Sequence, residues 1–227
     1  MTYMNRRLAL TGLATLALGV PLAAAQDLRP RLPATPQPEI IALSGDERSA
    51  AVAAANRSLN SITRLQGRFT QTAPGGARST GTVYLQRPGR MRFQYDSPAT
   101  LLIVSDGSVV AMRDTALRTT ERTPLNSTPL RFILAERVDL ERNARVIRVS
   151  RSGPWTMVTV RDRSGQTDGS IKLNFYGDQA ELRSWDVTDA TGARTRISLS
   201  NVTQPASLDR RLFRLEDIVE QRPGPRR

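Results

Sequence analysis

From Leu65 onward the apolar residues of this chain fall on alternate positions, in short runs separated by Gly, Asp, Asn and Pro. A period of two sends successive side chains to opposite faces of a strand, and the separating residues are those of tight turns. The pattern predicts about eleven strands, at 65–72, 80–86, 91–95, 100–105, 108–113, 117–123, 144–150, 155–161, 169–176, 180–188 and 194–201. Asp106-Gly107 is a hairpin signal, and Asp168-Gly169 carries the same dipeptide in a longer loop. The connections are too short for crossover helices, so the sheet is expected to be antiparallel.

Two segments break the alternation. Glu47 to Thr63 is alanine-rich with Leu59 and Ile62 at helical spacing, and Ser44 to Asp46 can cap its start. Pro124 to Arg137 contains Leu130, Phe132, Ile133 and Leu134 in a helix-compatible run, with Thr128-Pro129 as the expected N-cap and first helical residue. An apolar helical piece is therefore inserted midway through an antiparallel meander. Its apolar content is too high for an exposed loop, and its shortness makes it a poor independent helix.

The alternation also assigns faces. Met91, Phe93 and Tyr95 share one face while Arg92 and Gln94 take the other. Val83 and Leu85 share a parity with Arg87, which places Arg87 on the inner side near the rim if the two aliphatics point inward. Leu65, Gly67, Phe69 and Gln71 share a face in the preceding strand. Three of the five Phe (Phe69, Phe93, Phe132) lie in the first strands and the insert. Two interiors fit this pattern: a closed core filled by Val and Leu, or a cavity for a chain-like apolar ligand beneath apolar helices.

The first residues read differently. Arg6 and Arg7 precede an apolar run from Leu8 to Val20, and Ala23 to Ala25 supply small residues before Gln26. This is the layout of a cleavable export signal over 1–25, leaving the general and twin-arginine routes both open. The run is too short to span a bilayer, and no other apolar segment approaches that length. Residues 26–45, with Pro30, Pro33, Pro36 and Pro38, read as an extended linker. One domain is expected over 46–219 and a basic tail over 220–227.

Composition narrows the function. The net charge is +12 and a single lysine, Lys172, accompanies the arginines. Such a surface attracts anions, although a GC-rich coding sequence gives the same arginine bias. The chain has no histidine and no cysteine. That removes Ser-His and Cys-His nucleophiles, imidazole bases, thiolate metal sites and disulfides. The near pairs Asp139/Glu141, Asp186/Asp189 and Glu216/Asp217 have basic neighbours and read as solvated pairs. Arginines are scattered over every element while most aromatics alternate onto apolar faces, which disfavours a nucleic-acid platform. No enzyme activity, cofactor, metal or nucleic-acid partner is expected.

One ordered set of residues carries a resemblance: Phe69-Thr70-Gln71, Gly81, Arg87-Pro88, an aromatic-rich strand ending at Pro98, Val104-Ser105-Asp106-Gly107, and Thr128-Pro129-Leu130. In order and spacing it is similar to the LolA family, periplasmic carriers of outer-membrane lipoproteins, from the helix before Leu65 to about Phe213. Tryptophan is absent from 91–95, where Phe93 takes the aromatic position, and Val109 to Met112 lacks aromatics.

The resemblance implies a mainly β fold, an incomplete, half-open antiparallel barrel of about eleven strands with an α-helical lid over a hydrophobic cavity. It implies a monomeric periplasmic chaperone that takes acylated lipoproteins from an inner-membrane ABC-type releasing complex and delivers them to an outer-membrane acceptor or to the outer membrane itself. The same fold also serves sensors and binders of other apolar ligands, which is the alternative. By resemblance Arg87 holds the lid shut through hydrogen bonds to helix carbonyls, and Leu59, Leu130 and Ile133 are the matching lid positions. The expected acyl-chain cavity is lined by Phe69, Val83, Leu85, Met91, Phe93, Tyr95, Phe132 and Leu134.

Overall fold

A computed structural model describes residues 38–163 and 169–215. The expected signal over 1–25, most of the linker, the tail, Asp168 and Glu216/Asp217 lie outside the described residues.

The described chain forms one antiparallel sheet of twelve strands, open between its two edge strands. The strands are β1 (Ile41–Ala42), β2 (Arg64–Thr72), β3 (Arg78–Gln86), β4 (Arg90–Tyr95), β5 (Leu101–Asp106), β6 (Val109–Asp114), β7 (Thr119–Pro124), β8 (Arg145–Ser152), β9 (Trp155–Arg161), β10 (Ser170–Tyr176), β11 (Glu181–Thr188) and β12 (Arg194–Thr203). They lie in the order β1-β8-β9-β10-β11-β12-β2-β3-β4-β5-β6-β7. Two meanders, β2–β7 and β8–β12, are thus joined by the β12–β2 pairing.

The additional strand is β1. It pairs with β8, and Leu43 just beyond it is buried and donates its amide to the Val149 carbonyl. The end of the segment read as linker is therefore tied to the sheet, because two apolar residues there find an open edge.

The first helix, α1 (Gly45–Ser61), buries Ala51, Val52, Ala55 and Leu59 on one side. It packs against β8, β9 and β11. Ser44 occupies its N-cap in extended geometry without a side-chain hydrogen bond, so Asp46 and Glu47 in the first turn supply the favourable charge. The insert after β7 is a short 3-10 turn (Leu125–Ser127) followed by α2 (Arg131–Leu134). Thr128 does not cap α2: its hydroxyl turns back to donate to the Leu125 carbonyl, and Leu130 is the N-cap. A further one-turn helix, α3 (Leu140–Asn143), is capped by Asp139, whose carboxylate accepts from the Glu141 and Arg142 amides. Glu141 pairs with Arg48 of α1. Asp139/Glu141 is thus a cap and an interhelical partner.

Asp186 is where the expectation of solvated pairs fails, while Asp139/Glu141 stays at the surface. Asp186 is 1% exposed on the outer face of β11, contacting Arg196 at 2.7 Å and Lys172 at 3.2 Å.

Candidate functional site

The inner face of β2, β3 and β4 is built by the alternation of the sequence. Phe69, Val83, Met91 and Phe93 are each at most 4% exposed. Gly81 is required here: a Cβ at that position would lie 2.6 Å from the Phe69 ring and 2.2 Å from the Gln94 carbonyl. The absent side chain lets Phe69 lie across β3 and meet Phe93 and Tyr95 edge-on at 4.8 and 4.9 Å.

Between this face and the helices lies a narrow apolar void of about 20 Å³. Leu59 of α1, Ile133 of α2, Val83, Leu85, Met91 and Trp185 are among its lining residues, with Arg87 at its edge. Such a space holds about one water molecule. Beside it, an open cleft of about 300 Å³ passes beneath Thr128, Pro129 and Leu130. Met91, Phe93 and Trp185 line both spaces. The interior is therefore apolar and nearly filled, with an open vestibule on the far side of three side chains.

The C-terminal end of α2 is fastened by the β3–β4 turn. Arg87 Nη1 donates to the Ala135 carbonyl at 3.1 Å, and the Gly89 amide donates to the Leu134 carbonyl at 2.8 Å. These carbonyls close the C-terminal end of α2, which has no intrahelical partners for them. Gly89 sits at φ +73° with its Cα side against Gly107, where a Cβ would approach to 2.5 Å. Arg87 Nε is buried with no acceptor among the described residues, and burial pulls the guanidinium down to about 10. It stays charged at neutral pH. A third fastening is the ion pair of Arg131 in α2 with Asp162 at the end of β9, whose side chain is 2% exposed.

The vestibule carries a few polar groups. The Tyr95 hydroxyl donates to Gln71 Oε1 at 2.6 Å, and burial pushes the phenol up to about 12. Asp189 borders the cleft, but its carboxylate accepts from the Thr191 and Ala193 amides and the Thr191 hydroxyl of its own turn.

Of the expected lid residues, Leu59 and Ile133 border the narrow void and Leu130 the vestibule. Of the expected lining, Val83, Leu85, Met91, Phe93 and Tyr95 border one space or both. Phe69, Phe132 and Leu134 are buried but border neither; they pack behind the lining. Sequence reading missed Leu182 and Trp185 on β11, which share the void although three residues apart. Opposite Asn174 and Phe175 of β10 stand Ser184 and Leu182, so Arg183 is the extra residue of a β-bulge. The bulge breaks the period of two that would have found both.

The described residues thus form an open antiparallel half-barrel with an apolar interior and short helices packed over it. Residues 60–216 match the family described as outer membrane lipoprotein carrier protein LolA, and the chain belongs to that family as a LolA-type carrier. It is 30% identical over 149 residues to the outer-membrane lipoprotein carrier protein of Methylibium petroleiphilum, covering 62% of this chain and 72% of that protein. It is 31% identical over 147 residues to the protein of the same name from Methylobacillus flagellatus, covering 62% and 67%. Among solved structures, a LolA superfamily protein of Nitrosomonas europaea superposes with a TM-score of 0.45 at 10% identity, covering 75% of this chain and 98% of that one.

Proposed function

We propose that this protein is a periplasmic, non-enzymatic carrier that takes up the acyl chains of lipoproteins released from the inner membrane and delivers them to the outer membrane. On this reading Arg87 is the lid fastening, Leu59, Leu130 and Ile133 are the lid contacts, and the acyl chains occupy the space bordered by Val83, Leu85, Met91, Phe93 and Tyr95. An inner-membrane ABC-type releasing complex would load it and an outer-membrane acceptor would unload it. The single observation that carries the reading is the pairing of a small apolar void with an adjoining vestibule beneath a short, separately fastened helix.

The energetics call for such a device. Each methylene moved out of water contributes about 0.8 kcal/mol, so a C16 chain in water costs on the order of 12 kcal/mol. A carrier must cover that surface and still release it. A lid held by charge-assisted hydrogen bonds of about 1.5–3 kcal/mol each meets both demands.

Displacement of an apolar fluorescent probe by a synthetic triacylated lipopeptide tests the reading. Phe93→Glu sets a carboxylate against the lining at a cost of about several kcal/mol if unpaired, and is expected to abolish binding. Gln94→Glu, one residue along on the exposed face, is expected to bind as wild type. Equal effects from the two substitutions, or no competition by the lipopeptide, would refute acyl-chain binding at this face.

A further inference from the structure

The outer face of the same strands holds a second concavity, unlike the first in every chemical respect. It is a groove of about 820 Å³ between the β2–β3 hairpin loop, with Ala73, Pro74 and Gly76, and the β11–β12 turn, with Gly192 and Ala193. Its floor carries Arg78, Arg194 and Arg196 together with the hydroxyls of Thr70, Thr72 and Ser198.

Strand register explains why these groups converge. Arg196 stands opposite Thr72, and Thr72 opposite Arg78, so two guanidiniums flank one hydroxyl across three neighbouring strands. Strands in a sheet are about 4.8 Å apart, which sets the two arginines at roughly twice that spacing. Arg194 lies two residues before Arg196 and shares its face.

The charge of this cluster is not balanced locally. Asp186 is its buried carboxylate, and it faces Arg196 at 2.7 Å, Lys172 at 3.2 Å and Arg194 at 4.0 Å. One carboxylate thus serves three cations. Arg78 has no carboxylate partner among the described residues, and Asp96 on the nearby β4 end is taken by Arg68 and the Thr80 hydroxyl. Guanidiniums in excess beside hydroxyl donors match the oxygens of a phosphate ester.

The groove adjoins the vestibule. Ala193 borders both, and along β12 Thr195 faces the vestibule while Arg194 and Arg196 face the groove. Crossing the rim at the ends of β2 and β12 therefore leads from an apolar cleft directly to a basic one. An amphiphilic surface, apolar inside and anionic at its face, presents those two chemistries side by side.

We propose that the groove docks the phosphate headgroups of an anionic phospholipid bilayer, setting the vestibule rim against the membrane surface. The groove's affinity stands on the cluster alone; its use in loading or unloading rests on the carrier reading above.

The test is partition of the full-length mature protein onto vesicles of equal parts phosphatidylcholine and phosphatidylglycerol, with phosphatidylcholine vesicles as the neutral arm. The wild type is expected on the mixed vesicles only. Arg78→Gln/Arg194→Gln is expected to partition about tenfold more weakly or worse, with apolar-probe binding unchanged. Arg57→Gln/Arg122→Gln removes the same charge from exposed sites on α1 and β7 and is expected to leave partition within about twofold of wild type. Equal losses in the two double variants, binding to neither vesicle, or tight uptake of inorganic phosphate without vesicle binding would each overturn the proposal. Failure of the carrier reading shows instead in the probe arm, so the two failures are distinguishable.

Discussion

At the scale of single residues, the polar groups of the vestibule are set by their neighbours. Tyr95 is almost wholly covered, and its hydroxyl has Gln71 as partner, so ionising it means placing a phenolate among apolar side chains. With its phenol raised to about 12, Tyr95 contributes stability that is fully present below pH 10 and is lost as pH rises from 10 to 12. Arg87, lowered to about 10, acts in the opposite sense over the same alkaline range: its buried charge opposes folding until the guanidinium deprotonates. A global melt would mix the two, so the prediction is spectroscopic. Tyrosinate absorbance is expected to show a step near pH 12 that Tyr95→Phe removes, and a step that persists in the variant would place the covered phenol elsewhere. Met91, Phe93 and Tyr95 were legible in the sequence because a single unbroken strand alternates there. Trp185 was not, since the bulge at Arg183 resets the parity of β11 and no local signal marks it.

At the scale of elements, most strands were legible because nearly every turn between them carries Gly, Asp, Asn or Pro, the β6–β7 turn over 115–118 being the exception. Less legible was the pairing of β12 with β2, which closes two meanders into one sheet across more than half the domain. Also hidden was the length of α2: its apolar run suggests a longer helix, but Thr128 is extended and the helix ends at Leu134, where the β3–β4 turn takes over its carbonyls. This dependence sets a prediction. A one-turn helix has almost no stability of its own, so its order rests on burial of Phe132, Ile133 and Leu134 and on the three fastenings to Arg87, Gly89 and Asp162. Arg87→Leu keeps apolar bulk and removes a charge-assisted hydrogen bond of about 1.5–3 kcal/mol. Amide exchange over residues 130–135 is expected to quicken by about tenfold or more, with β3 and β4 unchanged. Under the carrier reading the variant also takes up lipopeptide but hands it on poorly. Exchange in 130–135 at the wild-type rate would show that Arg87 does not hold α2 in place.

At the scale of the whole molecule, the interior is in one respect incompatible with its proposed cargo: the narrow void has room for about one water and the acyl chain needs far more. On the proposed carrier reading, room beyond the vestibule comes from side chains that now fill the void, and Leu59 and Ile133 are the ones mounted on helices rather than on the sheet. On that same reading, lid and cargo compete for the same apolar surface, and the closed state is the carrier covering its own lining. This yields a stability prediction that a fixed core does not share. Leu59 is wholly buried in the empty protein, so Leu59→Ala is expected to cost about 2–5 kcal/mol there, as transfer and cavity terms add. With a saturating triacylated lipopeptide the same substitution is expected to cost less than half as much, because acyl carbons take over the contacts that Leu59 gave up. Melting temperatures of wild type and variant, each with and without lipopeptide, read the difference directly. An equal loss in both conditions would make Leu59 permanent core, and the room for cargo would have to come from the sheet.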